Sequence, residues 1–510
     1  MALLNRSEWY DIARDTNWTP SYVGVEDIFP DEMSDAFGLS LDQWNAYDEP
    51  FKISYREYVQ VQSRKDADAY SVKAALARSN FYDNAHPGWQ SILKMHFGAL
   101  VLLEYNAVIA EAKMARFAKA PGMRNMATFG SMDELRHAQI QLYFAHENVS
   151  KSRQFDWAIK CFHTQNWAAV AGRAMIDDLC LGRDAATMSI MLTFALEQGF
   201  TNLQFLGLAA DAAEVGDYSF SNLISSVQTD EARHAQIGTA ALKVLIANGK
   251  KEQAQRAVDI AFWRNWRMFM TLTGPAIDYL TPLEKRHQSF KEFVHEFIVA
   301  QFERSLEDLG LDKPWYWDLF LRTVDYFHHS GHLELWFVRQ TLFWNPSAGV
   351  SPPERAWLEE KYPGWGEKWG RMWDVVGQNA IEGRDDKVFP KTFPVLCNVC
   401  GTSSGGIPYN GYHQGHWTDH GDGRRYYFCS APCKWIFDVD PKRYLGHLSI
   451  TDRLLAGQIL PPTVEGALQY MGIHPGERGA DADDYAWAHQ CAAVSPSQTK
   501  VPHGNLATGL

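Results

Sequence analysis

The sequence predicts a mainly α-helical protein with a four-helix bundle at its core and a small cysteine-rich module towards its C-terminus. Three observations predict this. From His96 to about Asn248 the chain reads as long amphipathic helices rich in Ala, Leu, Met and Gln, interrupted only by short turn signals. The heptad Asp-Glu-x-Arg-His-Ala-Gln is written twice, as DELRHAQ from Asp133 and DEARHAQ from Asp230, 97 residues apart. Four cysteines cluster late, in LCNVC and FCSAPC, within a stretch rich in Gly, Pro and His.

The elements follow in order. Residues 1–90 read as a mixed N-terminal extension: NWTPSYVGVEDIFPDE is loop by its prolines, and YREYVQVQSRKDADAYSVKAALARS is helical. A helical domain is expected over 91–390, with breaks at APG (120–122) and EVGDYS (214–219) and a Trp- and Phe-heavy block over roughly 250–345. NPSAGVSPPER reads as loop, the boundary falls near 385–395, and 391–510 holds the cysteines and a loose tail from about 475. With 510 residues, 46% apolar and 21% charged, the chain can bury a large core. A net charge of −13 argues against nucleic acid or an anionic membrane as partner. The apolar run FGALVLLEYNAVIAEA is broken by Glu104 and Asn106, too often to span a bilayer, and no signal peptide is evident. Seven cysteines do not make a disulfide framework in so long a chain, and a reducing, cytoplasmic setting is expected.

Each heptad sets a Glu and a His at i and i+3, so Glu134 faces the same way as His137 and Glu231 the same way as His234. That is metal-ligand spacing, and such ligands need partners. Glu104 and Glu197 each interrupt an apolar run, where an uncompensated carboxylate is costly. Glu104 lies 17 residues before Pro121 and Glu134 lies 12 after Gly122; Glu197 lies 18 before Val215 and Glu231 lies 14 after Asp217. In antiparallel hairpins, similar distances from the turn mean similar depth. Glu104, Glu134, His137, Glu197, Glu231 and His234 therefore converge inside two hairpins of one design. This is the ligand set of ferritin-like carboxylate-bridged metal proteins. Four carboxylates and two imidazoles suit two iron or manganese ions better than zinc. Asp133 and Asp230 precede the ligand glutamates and can orient the histidines, plausibly across the pair, with Arg136 and Arg233 balancing the charge. Thr201 follows Glu197 by four residues, on the same helix face, and could relay a proton or bond its own helix. Asn202 and Gln228 are candidates for polar lining. Leu100, Ala107, Leu196 and Phe205 are candidates for the substrate pocket.

On DELRHAQ and DEARHAQ, and on the openings EWYDIARDTNWTPSYV and YDEPFKISYREYV, the chain resembles the large subunit of bacterial multicomponent monooxygenases. These are the soluble methane, alkene, toluene and phenol hydroxylases. The toluene and phenol branch is the most similar in these segments, the phenol hydroxylase oxygenase component above all. The resemblance implies a ferritin-like di-iron fold with the six ligands named above and an active-site Thr at Thr201. Ile176 matches a family pocket position, and methane-oxidising relatives carry Cys where this chain has Gln141. It also implies an α2β2γ2 assembly with beta and gamma subunits, a regulatory coupling protein, and an NADH reductase carrying flavin and an iron–sulfur cluster. The expected reaction is hydroxylation of a small aromatic substrate with O2, phenol to catechol first, with toluene and methylphenols as further candidates. Rival readings are a ferritin-like oxidase, a radical-generating subunit, and a non-catalytic scaffold with structural metals. This chain exceeds one bundle, and Tyr105 follows Glu104 but points away from the ligand face.

Cys397 and Cys400 have the C-x2-C spacing of a metal knuckle, and Cys429 and Cys433 supply a second pair. Four thiolates fit one structural zinc. An iron–sulfur or rubredoxin-like site is the alternative, and His413, His416 or His420 could replace one Cys. His328, His329 and His332 read as a polar loop or helix end, with no metal assigned.

Overall fold

The computed structural model describes residues 5–9, 31–152, 182–337, 351–382, 397–401 and 416–445, with Phe155 and Ile176. Helix α1 (Tyr55–Leu76) begins at Ser54, whose hydroxyl accepts from the Glu57 amide while the Glu57 carboxylate accepts from the Ser54 amide. Two N–H groups with no partner inside the helix are satisfied at once. Helix α2 is the continuous run Pro87–Phe117, and α3 (Pro121–His146) follows after three residues. Both start with proline at the first turn, where its missing N–H costs nothing. Helix α4 joins Ala185–Ser189, Ile190–Thr201 and Asn202–Glu214. Gly216, at φ +86°, turns the chain into α5 (Tyr218–His234), which Asp217 caps by accepting from the Phe220 amide. Then come α6 (Ile237–Ala247) and α7 (Lys251–Pro275).

The two expected hairpins form, α2 against α3 and α4 against α5, and they pack through α3 and α5. Helix α1 lies on α5, so the N-terminal extension is part of the bundle's wall. By length and composition Pro87–Phe117 could cross a membrane, but 87% of its apolar window is buried inside the protein. It is a core helix.

Two bundle helices widen where periodicity alone predicts ordinary α-helix. His96–Leu100 in α2 and Ile190–Thr201 in α4 are π-helical. Such turns sacrifice hydrogen-bond geometry and concentrate at functional sites. The first precedes Glu104 and the second contains Glu197. Behind Glu197 the Trp- and Phe-heavy block forms a wall: Phe200 packs on Phe262, Phe269 and Phe302 with ring centroids 5.4, 5.0 and 5.4 Å apart. Gly199 permits this, because a Cβ there would lie 2.3 Å from the Phe302 ring.

His328, His329 and His332 fall in the first two turns of the helix Phe327–Phe337, so the expected helix end is there, but they are buried where a polar surface is expected. His328 Nε2 donates to Asp278 Oδ2 at 2.7 Å, which also accepts from the Tyr362 hydroxyl at 2.7 Å; the Tyr279 hydroxyl donates to His329 Nδ1 at 2.5 Å. The sequence pattern conceals this because the burying partners come from distant segments.

The second cysteine pair lies in a small ribbon-and-helix unit. Strand β1 (His416–Asp419) pairs antiparallel with β2 (Arg425–Phe428), and helix α8 (Ala431–Val439) follows with Ser430 as its cap. The boundary expected near 385–395, the tail from about 475 and His413 fall outside the described residues.

Candidate metal centre

All six expected ligands point into one place and are at most 5% exposed. Their arrangement follows from the hairpins: α2 contributes Glu104, α3 contributes Glu134 and His137, the π segment of α4 contributes Glu197, and α5 contributes Glu231 and His234. His137 Nδ1 lies 3.6 Å from Glu104 Oε2, 3.8 Å from Glu134 Oε2 and 3.2 Å from Glu231 Oε1. His234 Nδ1 lies 3.0 Å from Glu197 Oε2, and its Nε2 lies 3.5 Å from Glu134 Oε1 and 3.9 Å from Glu231 Oε2. Glu134 and Glu231 thus reach both imidazoles, whose centroids are 6.2 Å apart. One ligand atom from each of Glu134, His137, Glu231 and His234 fits within 4.8 Å of the others.

The electrostatics call for cations. Burial, then the charges of Glu231 and Glu104, push the Glu134 carboxyl well above the usual range. Burial also raises Glu231, to about 7, against the pull of His234 and His137. Both imidazoles are held well above their ordinary value, since the surrounding carboxylates outweigh burial. His137 Nδ1, His234 Nε2 and Glu197 Oε1 are buried without a hydrogen-bond partner. Buried unpartnered donor atoms of this chemistry fit a pair of hard divalent ions.

The surrounding shell is partly as expected. Asp230 does reach across: its Oδ2 lies 3.4 Å from His137 Nε2, as in a carboxylate–histidine–metal relay. Asp133 is not hydrogen-bonded to His234. It accepts instead from the Tyr58 hydroxyl at 2.9 Å, from Gln62 Nε2 at 2.8 Å and from Arg233. Arg136 bonds Asp66, Asp230 and Ser226, and Arg233 also reaches Asp230 at 3.2 Å. Gln62 bridges to Asp230 at 2.7 Å, and Lys65 Nζ donates to it at 2.5 Å. These contributions from α1 were missed by the sequence reading. The available signal was the recurrence of Tyr58, Gln62, Lys65 and Ala69 along one helical stripe. Asp230 is pushed up by burial but pulled down further by the His137 hydrogen bond and by Lys65. Asp230→Asn should therefore weaken metal binding by ~10–100-fold and stability by ~3 kcal/mol, because Lys65, Arg136 and Arg233 lose their buried partner. Iron per chain at fixed free Fe(II), together with urea unfolding, measures both; no change in either would remove Asp230 from this role.

Gln141 does more than mark a difference from methane-oxidising relatives. Here its Nε2 donates to Glu104 Oε1 at 2.9 Å, and its Oε1 lies 2.6 Å from His96 Nε2. The buried His96 ring stands edge-on to Phe205 at 6.4 Å. Ala107, Ile176, Leu196 and Phe205 are all buried, while the side chain of Leu100 is outside the described residues. The Thr201 hydroxyl sits 3.5 Å from the carbonyls of Leu196 and Glu197, back towards its own helix. Ile190–Thr201 is π-helical, and Thr201 follows Glu197 by about one turn within it. Gln228 donates to Asn202 at 3.4 Å.

Cys397, Cys400, Cys429 and Cys433 are buried together, with Cys400–Cys429 and Cys429–Cys433 sulfurs 3.6 and 3.5 Å apart. That is too long for a disulfide and close to the ~3.8 Å edge of a tetrahedron with zinc–sulfur bonds of ~2.3 Å. Trp263 Nε1 donates to Cys433 Sγ at 3.2 Å, and Arg264 donates to the Val399 carbonyl, so the knuckle docks on α7. Burial raises the Cys400 thiol, but hydrogen bonds from the other cysteines and the Arg267 charge bring it well below its ordinary value.

A family model for methane, phenol and alkene hydroxylases matches residues 18–249, and a YHS domain model matches 422–448. The alpha subunit of the oxygenase component of an alkene monooxygenase system from Xanthobacter autotrophicus is 45% identical, over 96% of this chain and 98% of that protein. The chain belongs to the methane, phenol and alkene hydroxylase family. Within the family, the oxygenase component of a phenol 2-monooxygenase from a Pseudomonas sp. is 27% identical over 85% of this chain and 84% of that protein. A crystal structure of phenol hydroxylase from a Pseudomonas sp. shares the fold, with a TM-score of 0.77 at 23% identity, over 96% of this chain and all of that one. The family implies a di-iron centre, in keeping with the Glu and His donors gathered here, and its members work as components of multicomponent monooxygenases.

Proposed function

We propose that this chain holds two iron ions through Glu104, Glu134, His137, Glu197, Glu231 and His234 and oxygenates a small unsaturated hydrocarbon, converting an alkene to its epoxide. The convergence of six buried donors, three with unpartnered atoms, carries the metal assignment. The 45% identity to the alkene monooxygenase subunit supports the alkene. Hydroxylation of phenol, toluene or a methylphenol is the second reading. It draws support from the 27% identical phenol relative and from the aromatic rings of Phe205 and His96 beside Gln141.

Iron, when bound and reduced, supplies dioxygen activation. The balance is one O2, two electrons and two protons, leaving one oxygen atom in the product and one in water. The side chains prepare for this. Asp230 accepts from His137 Nε2–H, so Nδ1 is the nitrogen that would give up its proton and bind a metal. His96 Nε2–H holds Gln141, whose amide in turn holds Glu104. The long contacts of the Thr201 hydroxyl let it exchange a helix carbonyl for a partner at the site and pass on a proton, with Asn202 and Gln228 as polar lining. The buried Ala107, Ile176, Leu196 and Phe205 would exclude water and shape the substrate, and Leu100 is a further candidate by its place in the sequence, one turn before Glu104.

Electrons come from a separate NADH reductase with flavin and an iron–sulfur cluster. The working unit is an α2β2γ2 assembly with beta and gamma subunits and a regulatory protein, in the cytoplasm. Reconstitution with those components, under isotopically labelled dioxygen, tests the proposal. Epoxide formed from propene faster than catechol from phenol supports the alkene reading, and the reverse favours the aromatic one. An iron-loaded complex that incorporates label into neither would end the oxygenase assignment.

Exchanging Leu100, Ile176 or Leu196 for Phe or Ala should shift product distribution about tenfold, with iron content unchanged. If all three variants keep the parent's products and preferences, the pocket lies elsewhere.

A further inference from the structure

The π turn of α2 brings a histidine over the ligand face. His96 and Glu104 are eight residues apart on this helix. At ~100° per residue, an unbroken α-helix would set them about 80° apart around its axis. The π turn His96–Leu100 takes up one extra residue, so the pair stacks nearly as i and i+7 do. His96 therefore shares the face that carries Glu104. Gln141 shares the ligand face of α3, one turn after His137. All four bundle helices hold the His96 ring. From α4, Phe205 stands edge-on to it at 6.4 Å, and from α5 Phe220 does so at 5.0 Å. From α3, Gln141 Oε1 lies 2.6 Å from its Nε2. His96 Nδ1 is buried with no hydrogen-bond partner, so Gln141 is the ring's one such partner among the described residues.

Charge dictates the direction of these bonds. Gln141 Nε2 faces Glu104 Oε1 at 2.9 Å. With the amide turned over, its oxygen would meet a carboxylate oxygen, acceptor against acceptor. The amide oxygen is thus left to His96, which must carry a proton on Nε2. Burial pushes this imidazole down to about 4, against the Gln141 bond and the Glu104 charge, so near neutral pH the ring holds that single proton. A donor on the amide oxygen polarises the amide N–H and strengthens its bond to the carboxylate. Glu104 Oε1 is occupied in this way, and Oε2, 3.6 Å from His137 Nδ1, is the oxygen left for a metal. We infer that His96 is a positioning residue, acting through Gln141 to hold Glu104 to one metal-facing oxygen.

The inference rests on the di-iron reading, and the experiment separates the two. Metal-free full-length protein is titrated anaerobically with Fe(II), and separately with Co(II), whose visible spectrum reports coordination. Two metals per chain are expected in wild type. His96→Phe keeps a ring against Phe205 and Phe220 but removes the donor. It should bind one metal ~10-fold more weakly and alter the Co(II) spectrum. His96→Gln, whose amide can set an N–H where the imidazole Nε2–H lies, should restore affinity and spectrum. Gln141→Leu should show the same loss by itself, and adding His96→Phe to it should weaken binding no further. Where His96→Phe misfolds by circular dichroism, His96→Leu takes its place in each comparison. Wild-type affinities and a superimposable Co(II) spectrum in the folded variant would overturn the role of His96 alone, as would losses that add in the double variant. A wild type that binds no metal would overturn the di-iron reading and this inference together.

Discussion

Replacing His234 or Glu134 with alanine will remove iron and abolish oxygenation, by more than ~100-fold, while the helical fold survives. The fold should survive because the six donors are a liability without metal. Glu134 and Glu231 are both pushed up by burial, and Glu231 is among the charges that raise Glu134. Removing Glu134 relieves that repulsion, so metal-free Glu134→Ala should melt no lower than metal-free wild type. Wild type saturated with Fe(II) at about 100 times its dissociation constant should gain ~2.7 kcal/mol that neither variant shows. Metal analysis, a product assay and paired melts with and without Fe(II) check this. Full iron content and activity in either variant would sink the ligand assignment.

The same residues show how much the sequence disclosed. The two heptads and the depth match of Glu104 and Glu197 were legible because ligands need fixed spacing on a helix and equal distance from a turn. Family membership followed from the same letters. The π-helical turns at His96–Leu100 and Ile190–Thr201 were not legible, since hydrogen-bond register leaves no trace in a run of apolar side chains. Helix α1 was seen as helix, but its stripe of Tyr58, Gln62 and Lys65 is polar and resembles a solvated face until Asp133 and Asp230 are brought to it by the fold. The substrate was least legible. The opening segments suggested the phenol and toluene branch, whereas identity over nearly the whole chain is 45% to an alkene relative. Pocket preference depends on a few side-chain volumes that carry no spacing signal.

Cys397→Ser or Cys433→Ser will cost the chain one zinc and destabilise the C-terminal region, leaving the two irons in place. Four buried sulfurs at 3.5 and 3.6 Å spacing lie beside the buried Arg267, whose guanidinium burial pushes down but the surrounding cysteines hold above its ordinary value, a setting that favours thiolates gathered on one cation. A zinc with four thiolates carries the matching negative charge and leaves no open position. Structural zinc contributes ~10–16 kcal/mol of apparent binding free energy in small zinc-stapled modules, so losing one ligand is enough to release β1, β2 and α8. Release also breaks the Trp263 bond to Cys433 and the Arg264 bond to Val399, stranding buried groups on α7. Whole-protein stability should fall by ~3–5 kcal/mol. Helix α7 packs against the π segment that holds Glu197, yet no iron ligand lies on α7 itself, so iron content should hold while unfolding begins at the C-terminal end. Zinc and iron counts per chain, with limited proteolysis of wild type and variants, read this directly. An absorption band of iron–thiolate type in wild type, bleached by reduction and absent from Cys397→Ser, would replace zinc with an electron-entry site.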